Sequence, residues 1–168
     1  VTSLGSAAHA DITTVFEQSG HSFTLVEVDT AVQGAGAEIQ IAAAVSAAGD
    51  AEVDVIVVAR GGGSKTDLAV FDHEMIAEAI ADAPAPVFTG IGHDIDRSVA
   101  DEVAHTAHTT PTAAAQAIVA LVDEWLGRLA ACEADVAHHA RRALDRAADR
   151  VAGHRRRVAR SATTAIGR

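Results

Sequence analysis

At 168 residues the chain is long enough for one domain with a sizeable core plus an appendage. Its 49% hydrophobic content is swollen by alanine and only 3% of it is aromatic, which predicts fine-grained, helix-rich packing and excludes extended disorder. No run of eighteen apolar residues, leader or lipidation signal occurs, so a soluble cytoplasmic protein with no membrane partner is the expectation, and the lone Cys132 forms no internal disulfide.

Charge divides unevenly along the chain. Residues 1–110 carry three basic side chains (Arg60, Lys65 and Arg97) against seventeen acidic ones, whereas residues 111–168 carry ten arginines against six acids. The first balance, −14, opposes nucleic-acid binding, because such affinity comes from counterion release by Lys and Arg. Strong salt would screen the repulsion, and an acidic face turned away from the cleft would avoid it.

Val1–Ser3 reads as the end of a strand, and the chain is expected to begin inside a longer protein. A helix follows over Ala7–Gln18, with Ile12, Val15 and Phe16 at helical spacing and Gly20 as its stop. Phe23, Leu25, Val26 and Val28 predict a strand over Ser22–Asp29, and Gln33-Gly34 a loop. Ala37–Ala48 is an alanine-rich helix stopped at Gly49. Asp54-Val55-Ile56-Val57-Val58-Ala59 is too short and too β-branched for a helix and reads as a strand buried on both faces. A helix near Asp72–Asp82 and a strand over Ala85–Thr89 continue the alternation.

Arg97–Val103 is a short helix, His105–Thr110 a connecting loop, and from Thr112 onward one long amphipathic helix runs to the end. The expected fold class is therefore α/β: a parallel sheet with βαβ crossovers over residues 1–110, truncated at its N-terminus. A long helix over residues 111–168 follows and begins a coiled-coil region. Its weak apolar stripe (Leu121, Trp125, Leu129, Val136, Leu144, Val151, Val158) implies a partner helix, with Trp125 a core or interface anchor.

The chemistry concentrates at two strand ends. Arg60-Gly61-Gly62-Gly63-Ser64 closes the central strand with a permanent cation and glycines whose amides can approach an anion, a phosphate or carboxylate site unless it is merely a tight turn. Gly92-His93-Asp94-Ile95-Asp96 closes the next strand with a histidine suited to proton transfer near pH 7 and an aspartate three residues on. On local grounds alone Asp96 could instead cap the helix at Arg97, and Asp11 could simply complement the first helix dipole. His9, His73, His138, His139 and His154 read as exposed helix residues. His105 and His108 lie three residues apart on a loop, the spacing of a metal pair, which is the minor reading of them.

These blocks, followed by Thr110-Pro111-Thr112-Ala113-Ala114-Ala115, resemble the catalytic domain of the exonuclease VII large subunit. Val1-Thr2-Ser3 with Asp11, Thr30–Gly34, Asp67-Leu68, Phe71 and Ala100-Asp101 fit the same pattern. The resemblance implies hydrolysis of single-stranded DNA to oligonucleotides, with Asp11, Arg60, His93 and Asp96 as the catalytic set and Gly61, Gly62, Gly63 and Ser64 binding phosphate. It implies no obligatory cofactor or metal site, with Mg as a modulator at most, and small subunits carried on the C-terminal helical region. Two departures bear on DNA affinity: Ala107 stands where relatives have an arginine, and Leu4-Gly5-Ser6 where Pro-Thr-Gly is usual. A nucleotide- or sugar-phosphate-binding domain and an inactive scaffold module are the competing readings.

Overall fold

A computed structural model describes residues 1–61, 68–91 and 97–166, with side chains to residue 160. The chain divides into two units, Val1–Leu121 and Val122–Arg168.

In the first unit, β1 (Ile56–Ala59), β2 (Val87–Gly90) and β3 (Thr106–His108) form a parallel sheet in the order β1-β2-β3. Val57 lies beside Phe88, Phe88 beside Thr106, and Gly90 beside His108. The chain start extends this sheet past β1. The Val1 amine donates to the Val57 carbonyl at 2.8 Å, and the Ala59 N–H donates to the Val1 carbonyl at 3.0 Å. One bridge further out, Thr2 pairs in parallel with Asp29. Taken across the sheet, the segments run 28–30, 1–3, β1, β2, β3, which numbered along the chain is the doubly wound order 2-1-3-4-5.

Alternation along β1 explains the two cores. Ile56 and Val58 face α2 (Ala37–Asp50) and α3 (Glu74–Ala81) in a cluster with Ile41, Val45, Phe71, Ile76 and Val87. Val55 and Val57 point the other way, toward Phe16 of α1 (Ala7–Gln18), Phe88, and Ala115 and Ile118 of α5 (Pro111–Ile166). Helices thus cover both faces, as an all-parallel sheet requires.

The predicted helices at 7–18 and 37–48 and the strands around 56 and 87 are present, with three corrections. Residues 22–27 form no strand: Leu25 and Val26 are 41% and 49% exposed, and pairing is confined to the bridge at Asp29. Only Phe23 is drawn inward, packing on Phe16 with ring centroids 4.7 Å apart. Gly49 does not stop α2. It lies within the helix, where an added Cβ would sit 2.8 Å from the Pro84 ring. Residues 106–108, expected as loop, are strand β3, reached from β2 through the five-residue helix α4 (Val99–Val103). Thr-Ala-His carries no strand-like hydrophobic pattern, and only the ladder offered by β2 makes it one.

In the second unit, α5 continues as a single helix, part of a run of 56 residues, about 15 turns. Trp125, Val136, Leu144, Val151 and Val158 are 60–69% exposed, so Trp125 is not a core residue. Cys132 is exposed. No helix among the described residues is long and apolar enough to cross a membrane.

Candidate functional site

The doubly wound order places a crevice where neighbouring strands send their connections to opposite faces. Here that point lies between residues 1–3, which lead into α1 on one face, and β1, which leads to Phe71 and α3 on the other. Arg60 and Gly61 stand at its lip.

Arg60 directly follows β1 and is 4% exposed. Its N–H donates to the Gly90 carbonyl at 3.2 Å, so the ends of β1 and β2, from which both motif-bearing segments depart, are locked side by side. A permanent guanidinium charge in so dry a position exerts a far stronger field on an anion than the same charge in water. Gly61 rests against the first turn of α1. A Cβ there would lie 3.5 Å from the Ala8 nitrogen and 3.7 Å from the Ala8 Cβ. The N-terminus of α1 is capped by the Ser6 hydroxyl, which accepts from His9 N–H at 3.3 Å, and its first turn packs on Gly61, the residue after Arg60.

Asp11 lies on α1 one turn beyond Ala8 and is exposed. The structure thus brings Arg60, Gly61 and the helix that bears Asp11 to one crevice. His93, Asp96, Gly62, Gly63 and Ser64 lie outside the described residues.

What can be placed is their surroundings. The cap of α4 is Ser98, whose hydroxyl accepts from Asp101 N–H at 3.2 Å. The helix is therefore capped by Ser98 and not, as local sequence allows, by Asp96. His105 and His108 stack on Phe88, with ring centroids 5.5 and 6.1 Å away, so their three-residue spacing serves packing at the edge of the sheet. Among the described residues no group of three or more His, Cys, Asp or Glu side chains converges. Two of the exposed-helix histidines have other roles. His73 caps α3 by accepting from Met75 N–H at 3.3 Å, and half-buried His9 pairs with Glu27 at 2.8 Å.

Gly90, which sequence reasoning passed over, is a contact point. An added Cβ would meet Pro111 Cα and the Thr110 carbonyl at 2.9 Å, both backbone groups that cannot swing aside. Gly90→Ala is expected to destabilise the fold by about 1–3 kcal/mol, seen as a lowered denaturant midpoint with an unchanged slope. Asp101 was also missed as more than part of a motif. It is 4% exposed and accepts from Thr89 and Ser98, and Ser98-x-x-Asp101 is a capping-box spacing readable from sequence.

The family described as exonuclease VII, large subunit, matches residues 1–167. Curated proteins named exodeoxyribonuclease 7 large subunit are similar along much of the chain. One from Neisseria meningitidis serogroup B is 43% identical over 131 residues, covering 77% of this chain and 29% of that protein. One from Thiobacillus denitrificans is 44% identical over 130 residues, with the same two coverages. One from Aliivibrio fischeri is 37% identical over 158 residues, covering 94% of this chain and 33% of that protein. The chain therefore spans about a third of the length of the curated relatives it matches.

Proposed function

Because the chain belongs to the exonuclease VII large-subunit family, we propose that it is the catalytic part of an exodeoxyribonuclease that hydrolyses single-stranded DNA to oligonucleotides in the cytoplasm. The observation that carries this reading is the buried Arg60 at the doubly wound crevice, set beside Gly61 and the first turn of α1. Phosphodiester hydrolysis needs charge neutralised on the phosphoryl oxygens, water activated and the leaving oxygen protonated. Arg60 and the amides of Gly61, Gly62 and Gly63, with Ser64 as hydrogen-bond donor, serve the first need. His93 transfers the proton, and Asp11 and Asp96 share the tasks of orienting it and receiving the water's proton. Phosphate neutralisation by a guanidinium and backbone amides makes a divalent metal dispensable, with Mg only a modulator.

The apolar side chains left exposed along α5, Leu129, Val136, Leu144 and Val151, support a helical partner there, the small subunit of the assembly. The acidic balance of residues 1–110 favours activity that survives, or needs, high salt.

The deciding experiment follows labelled single-stranded DNA in chelator, across a range of salt, with the full-length parent protein assembled with its small subunit. Cleavage that falls by about 10²–10⁴-fold in a folded His93→Ala protein is the expected result. No cleavage at any salt by a folded assembly would favour a mononucleotide- or sugar-phosphate-binding role instead.

A further inference from the structure

Resting on the nuclease reading above, we propose that four outward arginines of the distal part of α5, Arg142, Arg146, Arg156 and Arg160, bind the phosphate backbone of single-stranded DNA.

A polyanion is held where cations displace its counterions, and residues 1–110 are ill suited to that, with three basic side chains against seventeen acidic ones. One of the three, Arg60, is 4% exposed and can meet a single phosphate but not a strand. Over residues 141–160 the balance reverses, with eight arginines, two aspartates and no lysine. All eight arginines are exposed on one continuous helix.

Their placement around the helix distinguishes DNA from the other candidate occupant, a partner helix. Leu144, Val151 and Val158 recur every seven residues and are 60–69% exposed, which makes them the seam that a partner helix would cover. Charges that pair across such a seam lie on its flanks, where Arg141, Arg150, Arg155 and Arg157 stand. The other four do not. Arg142 and Arg146 are each two positions from Leu144, and Arg156 and Arg160 each two positions from Val158. Two positions turn the helix through about 200°, so these guanidinium groups leave from the face opposite the seam. The pattern Arg-Arg-x-x-x-Arg occurs at 141–146 and again at 155–160, and a shift of two heptads returns its cations to nearly the same face. From Arg142 to Arg160 the row extends about 27 Å, enough to follow several nucleotides. Guanidinium groups suit phosphate because their planar fork meets two oxygens at once. No Phe, Trp or Tyr follows Trp125, so bases find no stacking platform and contact falls on the backbone, without sequence preference.

The test combines Arg142→Gln, Arg146→Gln, Arg156→Gln and Arg160→Gln in the full-length protein assembled with its small subunit. Glutamine keeps helix propensity and removes only the charge. Fluorescence anisotropy follows binding of labelled oligo(dT) with phosphorothioate linkages, which resist cleavage, across a range of salt. The expected result is a Kd raised by roughly tenfold or more at low salt. The slope of log affinity against log salt should be shallower than wild type by about 3, since each contact to a single strand contributes about 0.7. Repulsion from residues 1–110 is common to both proteins and cancels in that difference. On cleavable DNA, KM should rise with kcat nearly unchanged, as when binding is lost equally from ground and transition states. An assembled variant with wild-type affinity and slope overturns the proposal. So does a variant that sheds its small subunit in sedimentation, because the arginines then hold protein. A wild-type assembly that cleaves nothing, yet differs from the variant in slope as expected, overturns the nuclease reading alone and upholds the arginine surface.

Discussion

Arg60→Ala, introduced into the full-length assembled protein, is expected to lower kcat on single-stranded DNA by about 10²–10³-fold with a much smaller change in KM. The size follows from where the cation sits. Arg60 is 4% exposed, and its N–H is held by the Gly90 carbonyl at the end of the β1–β2 ladder. A charge fixed before substrate arrives needs no reorganisation as negative charge builds on the phosphoryl oxygens, which is why such groups act mainly on the transition state. Arg60→Lys keeps the charge but loses the planar fork that meets two oxygens at once, and should recover only part of the rate. Single-turnover cleavage of labelled DNA, alongside a melting curve for each variant, separates chemistry from folding. A folded Arg60→Ala protein cleaving at the wild-type rate would show that the phosphate is neutralised elsewhere.

Phe71→Ala is expected to cost about 3–5 kcal/mol of stability, the largest effect of any single truncation in the sheet's core. Phe71 is 0% exposed and belongs to a short 3-10 turn, Ala69–Asp72, packed with Val58, Ile76 and Val87. Removing its ring leaves a cavity in the buried cluster it shares with residues of β1, β2, α2 and α3. Because total stabilities run at about 5–15 kcal/mol, this one change consumes a large share of the margin. Denaturant unfolding should show a much lower midpoint at unchanged slope. Loss below about 1 kcal/mol would mean that the core relaxes around the cavity, contrary to the close packing of interiors. Phe71 also fixes the chain just downstream of Gly62–Ser64, so cleavage should decline at temperatures below the variant's own melting point.

Which elements were legible from sequence follows from how local their causes are. The helix at Ala7–Gln18 was read to its observed ends because Ile12, Val15 and Phe16 form one face, and the extent of α5 because no proline interrupts it after Pro111. β1 was legible because a run of β-branched residues bounded by Asp54 and Gly61 has no other stable solution. For the same reason Arg60 could be placed at a strand's carboxyl end, where parallel sheets bind ligands, without any structure. Ser22–Asp29 has the apolar pattern of a strand, but Leu25 and Val26 stay exposed and pairing is confined to the bridge at Asp29. Thr106–His108 has no such pattern yet became β3, because β2 presented an open ladder and Phe88 a ring for His105 and His108 to stack on.

Thus the sequence by itself determined the alternation of helices and strands, the strand-end position of Arg60 and the family motifs, all of which depend on neighbours within a few turns of chain. Only the tertiary structure decided that residues 1–3 pair between 28–30 and β1, that Gly61 meets α1 and Gly90 meets Pro111, and that Asp101 bonds across to Thr89. Those contacts join residues far apart in the chain. Their free energy comes from burial and hydrogen bonding that exist only once both faces of the sheet are covered.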